Sequence, residues 1–92
     1  MSGKTITLET TLDIGAAKRL LEEIREARGS HLDIDAARVE RIGGLCLQVL
    51  LAAKAAWRAD HAEFRILNPS EMFLDGVTLM AASELLAAGE AL

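Results

Sequence analysis

The run Leu45–Trp57 constrains the fold of this chain most, because only Gln48 and Lys54 in it are strongly polar. Its Leu- and Ala-rich composition predicts a helix from about Gly44 to Ala59. A helix without a polar face has to be covered on more than one side. In a chain of 92 residues that cover must come from a sheet, from neighbouring helices or from another protein. The run is too short to span a bilayer and ends among Lys54 and Arg58. Directly before it stands Ile42-Gly43-Gly44, a turn at the helix N-terminus, where a small α/β domain would carry a site.

The rest of the chain supplies the cover. Lys4–Thr10 alternates, with Ile6 and Leu8 on one face and Thr5, Thr7 and Glu9 on the other, which predicts a half-buried strand at or near a sheet edge. Asp13 is placed to cap a helix. From Ile14 the period changes, and Ala17, Leu20, Leu21, Ile24 and Ala27 form one apolar stripe, with charged residues opposite, among which Lys18 and Glu22 can pair. Gly29 is a natural left-handed helix end. His31–Ala36 reads as a second strand with Leu32 and Ile34 inward, and Ala36–Ile42 as a connector with Val39 and Ile42 inward. Glu63–Leu67 is a third strand. Ser70 caps a helix over Glu71–Ala81, which carries Met72, Phe73, Val77 and Met80. Gly76 weakens that helix by about 1 kcal/mol relative to Ala. Ser83–Gly89 closes the chain as a short helix with Leu85 and Leu86 inward. Helical crossovers between strands favour parallel, right-handed connections. The expected fold is α/β, a small mixed sheet with helices packed mainly on one face, in a single domain over residues 1–92.

Composition excludes several classes of function. The formal charge of −4 is spread with basic residues interleaved, and no basic patch suggests nucleic acid or an anionic membrane as partner. A single Cys rules out an internal disulfide and fits a reducing cytoplasm. No apolar signal core stands at the N-terminus, so the expected location is cytoplasmic, without membrane insertion.

Each chemically suggestive group has a plainer alternative. Gly43-Gly44 could cradle an anion, but no Lys, Ser or Thr follows, and a tight turn with positive φ and close packing explains the pair better. His31, Asp33 and Asp35 share a strand face and could hold a divalent cation, yet alternating polar residues are what a solvated face requires. Asp35 better suits a role in accepting backbone N–H bonds at the strand end. Cys46 at a helix start could be activated, but no base is assigned to it, His61 reads as solvated, and buried Cys is usually a small hydrophobe. Trp57 is expected in the core, with an interface anchor as the alternative. Arg38, Glu40 and Arg41 are a solvated connector that could also steer a charged partner. No nucleophile–base pair can be assembled, so the expectation is a protein without enzymatic activity, cofactor or metal.

At Asp35-Ala-Ala-Arg-Val-Glu-Arg-Ile-Gly-Gly-Leu-Cys-Leu-Gln-Val-Leu50 the sequence resembles the STAS domain family, named for sulfate transporters and anti-sigma-factor antagonists. Asp35 matches the family's strand Asp, Val39 its Val, Ile42 the apolar residue before its turn, and Leu47 the Leu after it. The Glu63–Leu67 strand and the Asn68-Pro69-Ser70 helix start follow in the family's order. The turn itself departs. Gly43 stands where the family has Asp, Gly44 and Leu45 where it has Ser or Thr, and Cys46 where it has Gly. In the antagonist members the second hydroxyl position is phosphorylated by a partner kinase. The resemblance therefore implies a lost phosphorylation position at Gly44 and Leu45. The Gly-Gly-Leu-Cys-Leu-Gln turn and the Ala-rich helix ending in Trp57 are most similar to short STAS proteins of alphaproteobacterial chemotaxis operons. That implies a signalling adaptor whose partner is a chemotaxis histidine kinase, together with a response regulator. The expected contact residues are Arg38, Glu40, Arg41, Gly43, Gly44, Leu45 and Gln48. The alternative is an accessory subunit on the ATPase of a membrane lipid transporter. A largely apolar helix also leaves room for a homodimer.

Overall fold

The computed structural model describes residues 3–80. The element order is β1 (Gly3–Thr7), β2 (Thr11–Leu12), α1 (Ile14–Glu26), β3 (His31–Asp35), β4 (Arg41–Ile42), α2 (Gly44–Ala59), β5 (Phe64–Leu67) and α3 (Glu71–Leu79). A three-stranded sheet runs in the order β1-β3-β5, and a two-stranded sheet pairs β2 with β4. All of these pairings are parallel. The α/β architecture is the one the alternating strand and helix patterns imply.

Register explains why the helices gather on one side. Ile6 lies level with Ile34, and Ile34 with Ile66, while Leu32 lies level with Phe64. These residues form one apolar face and join the core. The other face carries Thr5, Thr7, Asp33, Asp35 and Arg65, which a helix could not cover without desolvating charge. Arg65 and Asp33, level with one another, pair across it at 2.9 Å.

The β2–β4 pair was not legible in the sequence, which suggested a single strand to Thr10 and a structureless connector from Ala36. Pairing of the first strand ends where the Leu8 N–H donates to the Asp35 carbonyl at 2.9 Å. The chain then turns at Glu9 and Thr10, and Thr11 and Leu12 fall level with Arg41 and Ile42. Two-residue ladders carry no periodicity to read.

The helices form for the expected local reasons. The Asp13 carboxylate accepts the Ala16 N–H at 2.9 Å and caps α1. Gly29, at φ 93°, turns the chain after it. Ala17, Leu20, Ile24 and Ala27 are buried as the stripe requires, and Ala16 joins them. Leu21 does not: it is 36% exposed at the edge of the stripe beside α2. Of the cations on the outer face, Arg19 makes a two-pronged pair off the helix with Glu9, at 2.8 and 2.9 Å.

α2 buries Cys46, Leu47, Leu50, Ala53 and Trp57 against the sheet and α1. Trp57 is core, as expected. Its indole N–H donates to the Ser30 carbonyl at 2.6 Å, and the Arg28 guanidinium lies 5.6 Å over its ring. Cover is not complete. Leu45, Gln48, Ala52 and Ala55, spaced at three and four, remain exposed.

α3 is capped by Ser70, whose hydroxyl accepts the Phe73 N–H at 3.0 Å. It ends at Leu79, short of Ala81. Phe73 and Val77 are buried, whereas Met72 and Met80 are exposed. The helix expected at Ser83–Gly89 lies outside the described residues. Gly76 has a packing reason: a Cβ there would overlap Ile42 Cγ2. That methyl belongs to a β-branched, half-buried side chain that cannot swing away cheaply. Gly76→Ala should therefore fail to give the roughly 1 kcal/mol expected from helix propensity and instead lose about 1–3 kcal/mol to overpacking. In an Ile42→Ala background the same change should become stabilising, a coupling that a urea-unfolding double-mutant cycle would measure.

Candidate functional site

The turn before α2 is fixed from three directions. At the end of β3 the Asp35 carboxylate accepts the Ala37 N–H at 3.0 Å, which is the role expected of it. The Ala36 N–H donates to the Leu67 carbonyl at 2.9 Å, and the Ala36 carbonyl accepts the Ser70 N–H at 3.1 Å. The Ser70 hydroxyl donates to the Val39 carbonyl at 2.6 Å. Val39 is buried beneath this network, and Arg38 and Glu40 stand in solvent above it. The Glu40 and Arg41 N–H groups converge on the Thr10 carbonyl at 2.8 and 3.1 Å. Arg41 is exposed, while Ile42 is half-buried against Gly76.

The two glycines divide the work in an unexpected way. Gly43 is the N-cap of α2, with φ −88° and ψ 163°. Its N–H donates to the Leu12 carbonyl at 2.9 Å, and a Cβ on it would stand 3.1 Å from that oxygen. Gly44 is the first helical residue, and a Cβ there meets nothing within 4 Å. Neither has the positive φ expected of a tight glycine turn; among the described residues the left-handed positions are Gly29, His61 and Asn68. The hairpin-like turn is replaced by a strand, β4, that runs straight into a helix. The cap position makes no side-chain hydrogen bond, and the first turn holds no acidic residue.

Leu45, in the first turn, is 52% exposed. Gln48 lies exposed one turn further on. Cys46 behind them is fully buried, and its thiol donates to the Asp13 carbonyl at 3.4 Å. That contact sets the start of α1 beside the start of α2. It brings in a residue the sequence reading missed: Ile14 at the start of α1, 76% exposed. Periodicity could not have found it, since Ile14 lies three residues before Ala17 on the buried stripe. Arg38, Glu40, Arg41, Gly44, Leu45 and Gln48 thus all lie exposed along one stretch of chain, with Gly43 half-buried at its centre.

The other suggestive groups are engaged separately. Asp33 is paired with Arg65, Asp35 caps its turn, and His31 Nδ1 accepts the Glu63 N–H at 3.0 Å. Among the described residues no group of three His, Cys, Asp or Glu is placed to hold a metal ion. Burial pushes the Cys46 thiol pKa up, with the negative charges of Asp13 and Glu9 adding to it and Arg19 opposing. His61 follows the far end of α2, about 20 Å along the helix from Cys46. No helix in the described residues is long and apolar enough to cross a membrane.

A family model described as the Mlab STAS domain matches residues 2–88, and no curated protein matches the chain. The chain belongs to the STAS domain family. STAS domains are generally protein-interaction modules without enzymatic activity. Set on this geometry, the family's Asp falls at the N-cap, its hydroxyl residues at the two following helical positions, and its Gly at buried Cys46.

Two measurements check this description. Gly44→Ala should stabilise the chain by about 0.4–1 kcal/mol in chemical denaturation, because it restricts the unfolded state and meets no obstacle. Cys46, neutral and enclosed, should react with a thiol reagent near pH 8 at least about tenfold more slowly in the folded chain than in urea. The thiol's own contribution to stability is fully present below its unfolded pKa and is lost as pH rises through its raised folded value.

Proposed function

We propose that this chain is a non-enzymatic cytoplasmic adaptor, a single domain over residues 1–92, which docks on a regulatory protein through the start of α2. The partner is a chemotaxis histidine kinase, with its response regulator in the same assembly. The observation that carries the reading is Leu45: a large apolar side chain, 52% exposed, on a backbone held rigid from below. Completing the burial of a half-exposed Leu is worth about 1–1.5 kcal/mol, roughly a factor of ten in affinity. A preorganised backbone lets most of that appear as binding. Gly43 and Gly44 carry no side chain to hold a partner's backbone away, and Gln48 supplies a polar group beside Leu45. Arg38, Glu40 and Arg41 present both signs of charge, which suits orientation and encounter rate more than affinity. Neither Gly44 nor Leu45 has a hydroxyl, so binding is not switched by phosphorylation at those positions. Regulation then lies in occluding the partner or biasing its conformation.

Similarity to the short STAS proteins of alphaproteobacterial chemotaxis operons supports the kinase. A second reading keeps the surface and replaces the kinase with the ATPase of a membrane lipid transporter. The description of the matching family model by Mlab, rather than by a sigma-factor antagonist, favours it. Binding of each purified candidate to the full chain separates the two. A Leu45→Asp/Gln48→Ala variant should keep its far-UV spectrum and unfolding midpoint, since both side chains are exposed, yet lose at least about tenfold in affinity. Unchanged affinity in that folded variant would sink the docking surface.

A further inference from the structure

A groove of about 420 Å³ runs between the C-terminal half of α1 and the middle of α2. Its floor is Ala53 and Trp57, both buried, with Ala52 and Ala56 beside them. Leu21, Ile24 and Val49 form its walls. The charged residues lining it are Arg25 and Arg28. Helical spacing explains the selection: Leu21, Ile24 and Arg25 share one side of α1 and Arg28 follows in the turn just past its end, while Glu22, Glu23 and Glu26 project elsewhere. On a chain of formal charge −4 the groove is a local reversal of sign. Arg28 is committed to the Trp57 ring and to Asp60 at 2.8 Å. Arg25 has no ion-pair partner among the described residues.

The dimensions suit a helix. From Gln48 to Trp57 the groove follows α2 for about 14 Å, or two to three turns. Alanines on the floor allow an incoming helix axis to approach to about 8 Å, where larger residues would hold it off. We propose that the groove is a docking site for an amphipathic helix of a protein partner, which lays apolar residues on the alanine floor and a carboxylate against Arg25. A second copy of this chain is a poor occupant. An isologous contact through the groove would gather the guanidinium groups of both copies around one apolar patch. This site goes beyond the surface proposed above, with which it shares only Gln48, so either can fail without the other.

The test uses the full chain and two synthetic helical peptides of about 15 residues, with identical Leu spacing and either Glu or Lys on the flanking positions. Trp57, the sole tryptophan, reports binding from the floor of the groove. The Leu/Glu peptide should bind at least about tenfold more tightly than the Leu/Lys peptide, with the difference shrinking as salt rises. Ala52→Arg, at an exposed position, should abolish binding, Arg25→Glu should invert the preference, and Leu45→Asp should leave it unchanged. Equal binding of the two peptides, binding of neither, or indifference to Ala52→Arg overturns the proposal. A dimer in sedimentation that Ala52→Arg dissociates would instead make a second copy the occupant. Tighter peptide binding by Leu85→Asp/Leu86→Asp would make it the chain's own C-terminal segment. Either result overturns the assignment to a partner helix.

Discussion

The hydrogen bond from the Gly43 N–H to the Leu12 carbonyl holds the starts of α1 and α2 together. It extends a ladder only two residues long, Thr11–Leu12 against Arg41–Ile42. Each of those strands runs directly into a helix. Leu12 is followed by Asp13, the cap of α1, and Ile42 by Gly43, the cap of α2. Joining the strands therefore fixes the starts of both helices relative to one another. The Cys46 thiol, donating to the Asp13 carbonyl, adds a second tie, one residue beyond Leu12 on one segment and three beyond Gly43 on the other. A short ladder is weak by itself, but this one includes the buried Leu12 and follows closely on the buried Val39. Local opening there has to expose core, which makes it costlier than the hydrogen bonds alone suggest.

That arrangement decides what α2 can offer. One side of the helix meets the sheet and another meets α1, which leaves a stripe from Leu45 through Gln48 and Ala52 to Ala55. Alanine exposes little apolar area, so most of the stripe costs little in water. Leu45 is the exception, and it sits where the backbone is best fixed. Exposed apolar area on a rigid frame favours association, because little entropy remains to be lost on binding. Gln48 and Ala52 belong both to the stripe and to the lining of the groove toward α1.

The sequence was most legible where one face of an element is buried. Leu32 and Ile34, the Asp13 and Ser70 caps, the left-handed Gly29 and the buried Trp57 all follow from period and local chemistry. What escaped depended on contacts between distant segments. The β2–β4 pairing has no period to detect, and Gly76 reads as a helix defect until Ile42 is seen against it. Ile14 and Leu21 fall on the apolar stripe of α1, yet Ile14 stands 76% exposed at its start and Leu21 36% exposed at the edge beside α2. At the candidate site, Leu45 and Gln48 stand exposed as the sequence led one to expect. Backbone conformation was misjudged, since two adjacent glycines suggest a left-handed turn and the chain runs through both in ordinary conformations.

The turn's departures from the family pattern then read as one change rather than several. An Asp at Gly43 would cap α2 with its side chain; glycine at an N-cap is worth only a few tenths of a kcal/mol less. Its N–H still reaches Leu12, so the strand supplies the order that the cap would have given. A glycine at Cys46 would leave the space beneath the helix start empty and omit the contact to Asp13. Filling it with a buried thiol transfers the anchoring of α2 from its own cap to the neighbouring helix. With the start of α2 held from below, the two positions above it no longer need hydroxyls to order the turn, and one of them is free to carry Leu45. The position of Leu45 is then set by packing beneath the helix start.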